Sequence, residues 1–67
     1  MSSNDNFVKV TIYGQEYTIK APADARYIKN IAEYVDQKMR EIQDELNTPQ
    51  VPAKVAILAA MNISDEF

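Results

Sequence analysis

Val55, Ala56, Ile57, Leu58, Ala59, Ala60 and Met61 form an unbroken apolar run near the end of the chain. A bilayer span needs about 20 apolar residues, so this run cannot be one. A helix built from it is apolar all round and needs cover on more than one side. The chain has 67 residues, and its own fold can supply one such side. The remaining cover must come from a second copy or from another protein. Neither Gly nor Pro follows between Met61 and Phe67, so the helix lacks the usual stop signals. It is expected to run on, and the chain to be a head piece truncated where a coiled coil would continue.

One small domain is the ceiling at this length, because a lone core of this size rarely supplies more than roughly 3–5 kcal/mol. Neither Cys nor His occurs, which excludes a disulfide staple and the soft donors of a zinc site. Oligomerisation is the staple that remains. Residues 1–6 are polar, carry no Lys or Arg and lead into no apolar core of a signal peptide. They read as a disordered arm before a domain over residues 7–67, and the protein is expected in the cytoplasm. The net charge of −3 offers no basic field for nucleic acid.

Phe7 to Tyr13 alternate and are rich in β-branched and aromatic residues, the pattern of a strand with Val8, Val10 and Ile12 on one face. Residues 16–20 alternate again, with Tyr17 and Ile19 together. Between them stands Gly14, the chain's single glycine. Gly14-Gln15 suits a two-residue type II′ turn. Pro22 and Asp24 then open a helix, and Ile28, Ile31, Ala32, Val35, Met39, Ile42 and Leu46 form a core stripe at helical spacing.

The opposite face carries Arg26, Glu33, Gln37, Arg40 and Asp44, with Asp36 and Arg40 placed to pair. Tyr27, Tyr34 and Lys38 edge the core stripe, where packing within the monomer and an interface are both open readings. Pro49 and Pro52 separate this helix from the next, and Pro52 fits its first position. On the second helix Val55 and Leu58 can face the domain's own core. Ala56, Ala60, Ile63 and Phe67 keep the 4, 3, 4 rhythm of a coiled-coil seam. The fold class is therefore α+β, a β-hairpin followed by two α-helices (ββαα).

Catalytic chemistry has no footing here. The commonest bases and nucleophiles are missing, and the carboxylates Glu33, Asp36, Glu41, Asp44 and Glu45 are spread along one helix. Asp65 and Glu66 diverge on a helix end and form no cation site. Neither catalytic, cofactor-binding nor metal-binding residues are expected, and the chain reads as a non-enzyme.

Three segments together resemble the head domain of the ZapA family: Ile12-Tyr13-Gly14, residues 35–39 of the first helix, and the Ala-rich segment ending in Asn62-Ile63. That resemblance covers nearly everything from Val8 onward. It implies a bacterial cell-division protein that binds the tubulin-like GTPase FtsZ at midcell and cross-links its protofilaments into bundles. It also implies homodimeric heads and a tetramer formed through coiled coils, with no membrane or nucleic-acid partner. The interface set expected on this chain is Tyr27, Tyr34, Ala56, Leu58, Ala60, Ile63 and Phe67. An acidic polymer calls for local cations, and the candidates on the outer surface of the first helix are Arg26, Lys29 and Arg40. Solvated surface charge is the other reading of each. Two other functions fit the same elements: a small dimeric strand-plus-helix nucleic-acid binder, and a hetero-oligomer subunit docked through its second helix.

Overall fold

Two antiparallel strands, β1 (Asn6–Ile12) and β2 (Gln15–Ala21), pair from Ile12↔Gln15 at the turn to Asn6↔Ala21 at the far end. The computed structural model describes residues 6–21 and 24–66, without the side chain of Asn6. Of the expected arm, Asn6 already belongs to β1 and the rest lies outside the described residues, as do Pro22 and Phe67.

The turn differs from the expected type II′. Its central residues are Tyr13 and Gly14, with φ of 54° and 79°. Two positive φ values in a two-residue loop define type I′, whose twist matches that of the strands. Gly14 occupies the second central position, not the first. Tyr13 tolerates its left-handed backbone because its N–H donates to the carboxylate of Asp36 on the following helix.

A side chain at Gly14 would meet nothing within 4 Å, so substitution there is penalised by backbone strain alone. Left-handed φ costs a non-glycine residue roughly 1–2 kcal/mol. Gly14→Val should therefore lower Tm by roughly 5–15 °C with helical circular dichroism retained. An unchanged melt would remove the strain argument.

Helix α1 (Ala25–Leu46) starts at Asp24, whose side chain accepts from the Arg26 backbone N–H at 2.8 Å. It ends at Asn47, left-handed at φ 60°, with its N–H returned to the Gln43 carbonyl. Helix α2 (Pro52–Ser64) opens with Pro52 in its first turn, behind Val51, which provides no side-chain cap. Residues 47–51 turn the chain so that α2 runs back antiparallel along α1.

The core has two joined parts. Val8, Val10 and Ala32 pack β1 onto the first half of α1, with Ile19 and Ile28 alongside. Met39, Ile42, Val55 and Ala59 pack α1 against α2, with Val35 and Leu58 alongside, and Ile12 touches both parts. Val55 is fully buried. Two members of the predicted stripe fall outside this core: Ile31 is 44% exposed and Leu46 37%. The narrow sheet and the short second helix together cannot cover the whole apolar width of a 22-residue helix.

A candidate interaction surface

Only one stripe of α2 turns inward. Val55 and Ala59 are buried and Leu58 and Ile63 half-buried, whereas Ala53, Ala56, Ile57, Ala60 and Met61 stand exposed. Ile57 is 61% exposed and Met61 66%. Small side chains alternate with large ones on that outer face, so another backbone could approach closely.

The exposed face continues into a cleft. α1 lies beneath β1, and β2 projects beyond it, leaving Tyr17 49% exposed on the inward face of the sheet. Beneath β2 is an open space of about 760 Å³. Tyr17 and Ile19 overhang it, Val35 and Met39 form its floor, and Ala53 and Ala56 close it on the α2 side.

Polar clusters fix this framework on two sides. At the turn, Asp36 accepts from Tyr13 N–H and, through Oδ2, from Arg40 Nε at 2.9 Å. The Arg40 guanidinium lies 5.8 Å from the centroid of the Tyr13 ring, and the Tyr13 hydroxyl faces Gln43 Oε1 at 3.4 Å. The Arg40 hydrogen bond, then the Tyr13 N–H, lowers the Asp36 pKa below the usual carboxylate value. The same carboxylate raises that of Arg40. The expected Asp36–Arg40 pair is present, and the carboxylate also anchors the hairpin.

At the other end, Glu66 joins α2 to the middle of α1. It accepts from the Tyr34 hydroxyl and pairs with Lys38 Nζ at 2.9 Å, while Lys38 lies 5.6 Å from the Tyr34 ring centroid. The hydrogen bond from Tyr34, then that from Lys38, lowers the Glu66 pKa. Glu66 in turn raises Tyr34 and Lys38.

Stability should therefore depend on acid with a defined sign. A carboxyl whose folded pKa is lowered contributes fully above its unfolded value, about 4, and loses that contribution as pH falls through the folded value. Asp36→Asn should lower Tm at pH 7 and flatten its decline below about pH 4. Parallel Tm–pH curves for the two chains would refute this role. Tyr34 and Lys38 have the opposite sign, contributing below about pH 10 and less as pH rises past it.

Of the expected interface residues, Ala56 and Ala60 are on the exposed face of α2, and Tyr27 is exposed on α1 at 60%. Leu58 and Ile63 are half-buried, with Leu58 resting on the core. Tyr34, 42% exposed, is held by Glu66. Phe67 lies outside the described residues.

The cations Arg26, Lys29 and Arg40 are all exposed and share one side of α1. Fourteen positions separate the outer two, roughly 21 Å at helical rise. Glu33 and Asp36 stand between them in sequence. Sequence reasoning missed Asp36 as hairpin anchor and Glu66 as clamp, because each acts on a residue 23 or 32 positions away. Among the described residues there is no group of acidic side chains placed to hold a metal ion, and no helix is long and apolar enough to cross a membrane.

Comparison with known proteins is consistent over the whole fold. A family model described as cell division protein ZapA matches residues 8–67. Cell division protein ZapA of Geobacillus thermodenitrificans is 42% identical over 60 residues, covering 90% of this chain and 65% of the relative. The ZapA of Shouchella clausii is 33% identical over 69 residues, covering 100% of this chain and 87% of that protein. Among solved structures, a ZapA mutant dimer from Geobacillus stearothermophilus superposes with a TM-score of 0.80 at 37% identity, over 97% of this chain and 74% of that one. The chain thus spans about 65% of the length of the Geobacillus thermodenitrificans relative. With the hairpin, both helices and the apolar second helix inside the matched region, the chain belongs to the ZapA family of cell division proteins.

Proposed function

We propose that this chain serves bacterial division as a non-enzymatic, homodimeric protein of the cytoplasm that binds FtsZ at the midcell division site. There, with its second helix extended into a coiled coil, it promotes cross-linking and bundling of FtsZ protofilaments. The observation that carries the reading is the family match from residue 8 to residue 67, which takes in the whole fold except the first two residues of β1. The dimer has separate physical support. The outer face of α2, with Ile57 and Met61 exposed, adjoins the apolar cleft under β2, and an exposed apolar surface of this kind marks an interaction site. A second helix extended into a coiled coil would join two dimers as a tetramer.

Co-sedimentation with FtsZ and GTP tests the proposal. The chain should pellet only when FtsZ polymers form, and light scattering should return a dimer mass for the chain alone. Failure to pellet, for this chain and for one extended by a coiled coil, would overturn FtsZ binding. A monomer mass with intact cooperative melting would overturn the dimer.

Ala60→Glu addresses the same surface without touching the core, since Ala60 is exposed in the monomer. It should shift the mass toward monomer and raise the dissociation constant at least tenfold, because a carboxylate from each copy would be desolvated in the interface. A dimer of unaltered affinity would exclude that face.

A further inference from the structure

β1 leaves one edge of the sheet open. Among the described residues the sheet has two strands, β1 paired with β2. The closing pair Ile12↔Gln15 turns its backbone groups inward across the hairpin. By the alternation of an antiparallel ladder, Val10 and Val8 do the same. Phe7, Lys9 and Thr11 therefore direct their N–H and C=O groups away from β2. Such a row is a template for another strand.

A groove runs beneath that edge. It encloses about 250 Å³ between Lys9, Val10 and Thr11 of β1 and Lys29, Ala32 and Glu33 of α1. Ala32 packs on Val8 and Val10, and Asp36 reaches Tyr13 at the turn, so α1 runs alongside β1 in the same direction. Lys29 therefore lies toward the Phe7 end of the groove and Glu33 toward the turn. The end away from the turn is cationic, with Lys9 above and Lys29 below, on a chain whose net charge is −3. Phe7, on the same face of β1 as Lys9, is 72% exposed.

These features select an occupant. A strand added to β1 would set one side chain opposite Lys9 on the outer face of the sheet and the next on the inner face, above Lys29. Carboxylates at two adjacent positions would meet both cations, and an apolar side chain one residue further would cover Phe7. Main-chain bonds to the edge supply affinity in such an arrangement, and the side chains supply specificity. A second copy of β1 fails this requirement, since antiparallel pairing about Lys9 sets Lys9 against Lys9. Lys on an edge strand guards a sheet against self-pairing, and an acidic strand is the partner that such a guard admits.

We propose that the outer edge of β1 binds an acidic, extended segment of another protein as a third strand. The inference goes beyond the division reading and requires neither FtsZ nor the dimer, so the two can fail separately.

A labelled synthetic peptide, Thr-Val-Glu-Glu-Val-Thr, tests it. Fluorescence anisotropy should show saturable binding that weakens with salt, and the same peptide with Lys in place of both Glu should not bind. Amide hydrogen exchange should slow on binding at Phe7, Lys9 and Thr11, and stay unchanged at Val8 and Val10, which already bond across the hairpin. Lys9→Glu and Lys29→Glu should each weaken binding about three- to tenfold. Lys54→Glu, exposed on α2, should not. Binding without slowed exchange at the three edge amides would overturn strand addition. Equal binding of the two peptides, or no saturable binding of the acidic one, would overturn the site.

Discussion

Val55→Asp should abolish cooperative folding at neutral pH, whereas Val51→Asp, four positions earlier, should raise Tm by a few degrees. The substitutions are chemically identical and their sites are opposite. Val55 is 0% exposed, enclosed by Met39, Ile42 and Ala59. A carboxyl there must either remain charged without a partner or take up a proton at pH 7. Proton uptake alone costs about 4 kcal/mol, three pKa units at 1.36 kcal/mol each. The packing of the valine methyls is lost in addition. A core of this size supplies roughly 3–5 kcal/mol in all, so the folded state does not survive.

Val51 is 66% exposed and sits at the N-cap of α2 with no side-chain hydrogen bond to the helix. Asp there can accept from the free N–H groups of the first turn and faces the positive end of the helix dipole, a gain of about 0.5–1 kcal/mol. Val55→Ala grades the first effect: it should cost roughly 2 kcal/mol and still leave a melting transition. Thermal melts followed by far-ultraviolet circular dichroism separate the three chains. A cooperative melt near the parent Tm for Val55→Asp would show that α2 is not packed as described.

These two valines mark what sequence alone discloses. The apolar run and Pro52 locate α2 and its start by local rules, and they leave Val55 and Leu58 able to face the core. The burial of Ala59 rather than Ala56 or Ala60 does not follow from them. It depends on how α2 is rotated against Met39 and Ile42, and no pattern within a run apolar on every side encodes that rotation. The single glycine likewise locates the turn but not its type. Whether Gly14 takes the first or second central position depends on Tyr13 accepting positive φ, and the Asp36 carboxylate that receives its N–H is 23 residues distant. Ile31 and Leu46 fit a helical stripe, yet their cover depends on the widths of the elements laid against them. On the candidate surface, the 4, 3, 4 spacing singles out Ala56 and Ala60, and both are exposed on α2. The clamp through Glu66 is not legible, since Tyr34 and Glu66 meet only after the chain has folded back.

Charge reversal at Arg26, Lys29 and Arg40 together should largely abolish FtsZ bundling by a chain extended with a coiled coil, with little change in helical content. All three side chains are exposed on one side of α1, so reversing them leaves the core untouched. Each exposed contact is worth no more than about 1 kcal/mol, which makes a single reversal weak and the triple reversal decisive. Because Arg40 also braces Asp36 against the turn, Arg40→Glu should additionally lower Tm; Arg26→Glu and Lys29→Glu should not. That difference separates loss of partner contact from loss of hairpin support. Bundling should decline steeply between low and physiological salt, where the screening length shrinks from about 30 Å to about 8 Å. The 67-residue chain should bundle poorly even with its cations intact. Cross-linking requires two binding surfaces held apart, and a suitable connection raises avidity by about 10²–10⁴ over one surface. Equal bundling by the short and extended chains would show that paired heads suffice. Full bundling by the triple reversal would move the FtsZ contact from α1 to the hairpin, where Lys9 and Lys20 are the strand cations.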